Sequence, residues 1–198
     1  MHDRLRSIYE IASGLAYLHS REPSIIHGDI KGLTIYIGQA NILVDNKRNC
    51  RLADFGLATI IEAQRIDSTT SNAIKSTARW MAPEMFAPQD EDAMNNLEAK
   101  WPRDIYAFAC TIFEIMTGEP PFSNLSGAAV MFKVITGVRP ARPVDGWCPD
   151  KAWRLVEKCW AQDPGTRPRA AQLEKTLERA VYGRTAAQQR DAAKQDSI

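Results

Sequence analysis

Apolar positions fall at helical spacing at the start of the chain: Leu5, Ile8, Ile11, Ala12, Leu15 and Leu18 share one face over residues 4–19, with Arg4, Arg6, Glu10 and Ser13 on others. An amphipathic helix is predicted there, stopped by Pro23. The pattern then changes period. Short apolar runs at 42–44 and 50–53 flank the polar turn Asp45-Asn46-Lys47-Arg48-Asn49, which predicts a small hairpin. Residues 59–77 are Ser/Thr-rich with no sustained period, as in a functional loop. The run 105–117 (IYAFACTIFEIMT) is almost wholly apolar and closes on Gly118 and Pro120-Pro121, so it predicts a central helix buried on most sides. Helical patterns recur at 126–136, 150–161 and 169–182, whereas 183–198 carries almost no large apolar side chains and reads as a frayed or disordered polar tail. The fold class expected is mostly α with one small β-hairpin.

With 198 residues, 44% of them hydrophobic, the chain can bury one sizeable core but not two ordinary ones. The formal net charge of +1 supplies no field for nucleic acid or an anionic membrane, so neither partner is expected. No apolar run approaches the ~20 residues of a bilayer span, and no signal-peptide core is visible; a cytoplasmic location is the expectation. Cys50, Cys110, Cys148 and Cys159 form no CxxC pair, and with three His they complete no zinc pattern. They read as reduced, structural thiols.

The chemistry lies in short motifs and their order. His27-Gly28-Asp29-Ile30-Lys31 follows the first helix, and Asn41 stands just ahead of the first strand. Asp54-Phe55-Gly56 follows the second strand; a carboxylate at a strand end followed by Gly suits a hard metal ion, because Gly allows a sharp bend. Trp80-Met81-Ala82-Pro83-Glu84 comes next, then Asp104 at the head of the apolar helix, then Arg167 in DPGTRP. Each tripeptide is common alone, and an ordinary turn explains it. In this order, from about residue 4 to 182, they resemble the carboxyl-terminal lobe of a eukaryotic protein kinase.

That resemblance implies a helical lobe over 1–182 and a reaction moving the γ-phosphate of ATP to a protein hydroxyl. Asp29 would be the catalytic base and Lys31 the charge beside the transferring phosphate. Asn41 and Asp54 would hold Mg²⁺ bridging the ATP phosphates, and Leu43 would lie under the adenine. His27, Phe55 and Asp104 resemble an internal stack and its anchor, with Gly56 completing the metal loop. Thr77 resembles the Thr that ties the substrate loop to the base, and Glu84 and Arg167 resemble a buried ion pair holding the activation segment to the helical base. Lys31 suggests Ser/Thr acceptors, and STARWMAPE is similar to the tyrosine-kinase-like group of Ser/Thr kinases.

Three features depart from the family pattern. Only 26 residues precede His27, with no GxGxxG loop and no VAIK-like strand, so the strand-rich amino-terminal lobe is not expected and Mg·ATP should bind this stretch weakly. Gly28 stands where the family has Arg, which removes a partner for a phosphorylated activation segment; a backbone angle that favours glycine explains it equally. Asn41 falls twelve positions after Asp29, whereas the family spacing is five. Excising Leu33-Thr34-Ile35-Tyr36-Ile37-Gly38-Gln39 restores HGDIKGANILVDN, so 33–39 reads as an insertion: altered splicing, a gene-boundary error or a genuine loop. A non-catalytic, pseudokinase-like interaction module, or a fragment of a longer kinase, is the alternative to an active enzyme.

Overall fold

The computed structural model describes residues 4–32, 41–54, 78–86, 100–144 and 146–195, with side chains described as far as Gly183. Helix α1 (Arg4–His19) leads to strands β1 (Ile42–Val44) and β2 (Cys50–Leu52), followed by short 3₁₀ turns at Ala78–Trp80 and Pro83–Phe86. Helices α2 (Trp101–Thr117), α3 (Gly127–Ile135), α4 (Asp150–Cys159) and α5 (Ala170–Gln195), with a third 3₁₀ turn at Pro164–Thr166 between the last two, complete the described elements. The mostly helical class with one hairpin stands.

Helix α2 is the centre of the core. Ile105, Tyr106, Phe108, Ala109, Cys110 and Ile112 are each at most 2% exposed, so the helix is enclosed around most of its circumference. It starts a turn earlier than the apolar run alone indicates, because Pro102 sits in its first turn, where a missing N–H breaks no helical bond. It ends on Gly118, at φ +82°, whose N–H donates to the Glu114 carbonyl at 2.7 Å. Helices α1 and α4 pack against it, and α1 also runs along α5. Among the described residues no helix is long and apolar enough to cross a membrane.

The hairpin is antiparallel, with Ile42 opposite Leu52, Leu43 opposite Arg51 and Val44 opposite Cys50. It rests on α1. A Cβ on Gly14 would come within 2.9 Å of Leu52 Cδ1, so glycine there lets helix and strand approach closely. Glu10 fastens the same junction: Oε2 accepts from Cys50 N at 2.6 Å while Oε1 accepts from Arg6 Nε at 2.8 Å.

The backbone of α5 stays helical for twelve residues beyond Gly183, where a frayed tail is expected from the lack of apolar residues. Ala, Gln, Arg and Lys dominate that stretch and are all strong helix formers, so intrinsic propensity carries a helix that burial alone would not predict. All four cysteines are free thiols. Burial pushes Cys110 and Cys159 up to about 12, which keeps them protonated and inert.

Candidate active site

Asp104, 1% exposed, organises the loop that carries Asp29. Its Oδ2 accepts from the backbone N–H of His27 and its Oδ1 from that of Gly28, both at 2.8 Å. His19, the last residue of α1, brings Nε2 to within 2.8 Å of Oδ2. A single carboxylate on α2 thus fixes the bend at His27-Gly28 and ties it to the end of α1. Gly28 has φ +75°, a left-handed conformation that disfavours a side chain, so the glycine there matches the backbone angle it must adopt.

Past that bend the loop presents a compact polar cluster. Lys31 Nζ donates to Asp29 Oδ2 at 2.7 Å, and Asn41 Nδ2 donates to the same oxygen at 2.8 Å and to the Asp29 carbonyl at 2.6 Å. Asp29 and Lys31 are each only partly shielded, with side chains 15% and 22% exposed. The Asp29 carboxylate is therefore held in place by two donors yet reachable from solvent. Asn41 is positioned by its backbone on both sides: its N–H donates to the Lys31 carbonyl at 3.2 Å and its carbonyl accepts from Ala53 N at 2.9 Å. Ile42, 2% exposed, anchors the adjoining strand in the core.

Residues 33–39 lie outside the described residues, but the positions that flank them are joined: Gly32 has φ +62°, and the Asn41 N–H donates to the Lys31 carbonyl. Excising 33–39 leaves Lys31-Gly32-Ala40-Asn41, in which that bond becomes the closing bond of a β-turn with glycine at a position suited to positive φ. Shortening nine connecting residues to two should stabilise the fold by about 1 kcal/mol through loop-closure entropy. Thermal melts of the deletion check this; a lower melting temperature would show that the seven residues support the fold.

Asp54 follows the second strand at φ +57° and is exposed. It stands one residue beyond Ala53, which pairs with Asn41, so the hairpin brings the amide and the carboxylate to the same end. With Asn41 Nδ2 turned to Asp29, its Oδ1 is the remaining acceptor. One amide oxygen and one carboxylate form a hard, sparse donor set, which suits a Mg²⁺ ion that keeps water and phosphate ligands. Among the described residues no cluster of three or more His, Cys, Asp or Glu could hold a metal alone. Leu43 is 55% exposed on β1 and offers an uncovered apolar surface beside this end of the hairpin. Phe55, Gly56 and Thr77 lie outside the described residues.

His27 is fully buried, and its Nδ1 accepts from Asp29 N at 3.4 Å. Burial holds its pKa below the ordinary imidazole range, against the opposing pull of Asp104. The unfolded chain, at an ordinary ~6.5, then takes up the proton before the folded chain does. This contribution to stability is whole above pH about 6.5 and is lost as pH falls from there towards the lower folded value. Urea midpoints should drop between pH 7.5 and 5.5, and less so in His27→Phe; equal drops would remove His27 as the cause.

Glu84 and Arg167 meet across the base of the lobe in a two-pronged pair, Nη1 to Oε1 at 2.7 Å and Nη2 to Oε2 at 2.9 Å. Arg167 also donates to the carbonyls of Pro102 and Ala161, each at 3.0 Å, and its guanidinium lies 5.1 Å from the centre of the Tyr106 ring. Two further anchors escape sequence reasoning. His19 has no motif of its own, and the partners of Arg79 among the described residues are backbone carbonyls, which leave no trace in side-chain spacing.

A carboxylate clasped by Lys and Asn on a loop pinned to a buried Asp-bearing helix, with a second Asp at the adjoining hairpin end, is the arrangement of a protein-kinase catalytic lobe. The chain belongs to the protein kinase family: the family described as protein tyrosine and serine/threonine kinase matches residues 1–177. It is 38% identical over 164 residues, 82% of this chain, to Mitogen-activated protein kinase kinase kinase 5 of Arabidopsis thaliana, covering 20% of that protein. Over 180 residues, 89% of this chain, it is 32% identical to Serine/threonine-protein kinase STY17 of Arabidopsis thaliana, covering 27% of it. Ankyrin repeat and protein kinase domain-containing protein 1 of Homo sapiens is 31% identical over 171 residues, 83% of this chain and 20% of that protein. The chain thus spans about a quarter or less of the length of these relatives.

Proposed function

We propose that this chain supplies the acceptor-activating and metal-holding side of a Ser/Thr protein kinase, moving the γ-phosphate of ATP to a hydroxyl of a protein substrate. The observation that carries the reading is the Asp29 carboxylate held by Lys31 and Asn41 on a loop bonded to Asp104. Asp29 accepts the proton of the acceptor hydroxyl, and Lys31 keeps a positive charge beside the transferring group. Asn41 Oδ1 and Asp54 would hold Mg²⁺, which when bound neutralises charge on the ATP phosphates. Leu43 would cover the adenine, Phe55 and Gly56 would shape the metal loop, and Thr77 would tie the substrate segment to Asp29. Lys31 and the Ser/Thr kinases among the relatives support Ser/Thr acceptors, and STARWMAPE supports the tyrosine-kinase-like group. Four free thiols are in keeping with a reducing, cytoplasmic setting.

These 198 residues include no glycine-rich phosphate loop, so the reading assigns them one side of the nucleotide site. The test is transfer of labelled γ-phosphate to Ser/Thr peptides by the natural protein in the presence of Mg²⁺. Asp29→Asn should lower the rate at least about a hundredfold while the melting temperature stays nearly unchanged. Equal rates in both proteins would defeat the reading.

A further inference from the structure

The hairpin beside Asn41 and Asp54 is built from two strands of three residues each, Ile42–Val44 and Cys50–Leu52. A two-stranded ladder of that length is marginal alone and specifies its register weakly. The register nevertheless decides the metal end: Ile42 lies opposite Leu52, and one step further Ala53 N donates to the Asn41 carbonyl at 2.9 Å, immediately before Asp54. A slip of one residue would carry Asp54 about 3.3 Å along the strand and turn it to the other face. Something outside the ladder must hold it.

Helix α1 does so at the opposite end of the hairpin. Arg6 and Glu10 stand one helical turn apart, paired at 2.8 Å, and grip consecutive residues where β2 begins. Arg6 Nη2 donates to Asn49 Oδ1 at 2.7 Å, and Glu10 Oε2 accepts from Cys50 N at 2.6 Å. Asn49 is in turn fixed to Asp45, which accepts from its N–H at 2.8 Å and from its Nδ2 at 3.0 Å, so both sides of the turn are held. The Glu10 side chain is 16% exposed, against 49% for Arg6, so the bond from Cys50 N is charge-assisted and largely out of water. A carboxylate fixed on a helix accepts from one backbone position, and that selects one register.

We infer that Glu10 is a positioning residue for Asn41 and Asp54. It acts through Cys50 N and the ladder, setting the register that brings the amide and the carboxylate to one end of the hairpin, while Arg6 holds Glu10 and the turn. The inference deepens the kinase reading above and rests on it for the use of the metal. Glutamine keeps an oxygen for Cys50 N, whereas alanine offers none.

Glu10→Ala and Glu10→Gln in the natural protein test it. With alanine, amide exchange at Ala53, at the other end of the strand from the lost bond, should rise at least about tenfold, and with glutamine less than about threefold. The Mg²⁺ concentration for half-maximal phosphate transfer should rise about tenfold in Glu10→Ala, the lower end of what loss of an outer support does to a metal site. Saturating Mg²⁺ should restore kcat, and the peptide KM should stay within about threefold, because the acceptor meets Asp29 rather than the hairpin. A support of stability alone would lower the melting temperature and leave the Mg²⁺ requirement where it was, and that result would overturn the inference. So would unchanged exchange at Ala53, or equal losses with alanine and glutamine. If Glu10→Ala fails to fold, Arg6→Leu, at a half-exposed position, takes its place, with about threefold changes in the same direction. If the unaltered protein transfers no phosphate, the kinase reading falls, and Mn²⁺ binding with ATP present, read by water-proton relaxation, decides the inference separately. About tenfold weaker binding in Glu10→Ala upholds it, and equal or absent binding overturns it.

Discussion

Arg167→Ala is expected to destabilise the fold by about 3 to 5 kcal/mol, the usual effect of removing one partner from a buried pair. The Arg167 side chain is wholly buried, and it carries bonds to Glu84, Pro102 and Ala161 as well as a contact with the Tyr106 ring. Its loss leaves three backbone carbonyls, those of Pro102, Ala161 and Gln162, without that donor and a carboxylate without its fork. Glu84 is 23% exposed, so water reaches it and holds the effect towards the lower end of the range. For a chain of this size the melting temperature should fall by roughly 10 °C. Arg167→Lys should recover less than half, since a single ammonium cannot satisfy both carboxylate oxygens and three carbonyls. Denaturant melts decide this; a loss under about 1 kcal/mol would mean that solvent shares the pair.

The second large effect is expected from a substitution that changes almost no volume, Asp104→Asn. Both carboxylate oxygens of Asp104 accept, Oδ1 from Gly28 N and Oδ2 from His27 N and His19 Nε2. An amide keeps one acceptor and replaces the other with a donor, so at least one buried N–H faces another donor. An unmade bond of this kind costs about 1 to 3 kcal/mol, and the lost charge weakens those that remain. A stability loss of about 3 kcal/mol is expected by urea titration. Because the same bonds aim Asp29, a shift of ~1 Å in the loop should lower phosphate transfer about a hundredfold. Stability lost with the rate unchanged would separate the anchor from the chemistry.

How much of this is legible in the sequence differs from element to element. Helix α1 is read to the residue, because its apolar spacing begins at Leu5 and ends before Ser20 with no competing signal. The hairpin is read within one residue for the same reason: two apolar runs bracket a polar turn. The start of α2 is less visible, since Trp101-Pro102-Arg103-Asp104 breaks the apolar run that marks the rest, and Asp104 lies inside the first turn. The far end of α5 is hidden for the opposite reason, being supported by propensity without an apolar face. At the candidate site, the residues of Asp29, Lys31, Asn41, Glu84 and Arg167 come from motif order. Their longer contacts come from folding: Lys31 meets Asp29 within one loop, but Asn41 reaches it from twelve positions away, and Arg167 and Glu84 stand 83 positions apart. His19 and Arg79 stay invisible since nothing in local spacing marks a residue whose partner is a distant helix or a carbonyl.

The first turn of α2 holds two attachments two residues apart: the Asp104 carboxylate grips the His27-Gly28 bend, and the Pro102 carbonyl receives Arg167, which in turn grips Glu84. The Asp29 carboxylate and the 78–86 segment are therefore hung from one bracket, and their separation is set by a helical turn that itself lies in the core. Such a mounting behaves as a rigid frame. In the kinase proposed above, control would find little purchase on the frame itself and would act on what is brought up to it.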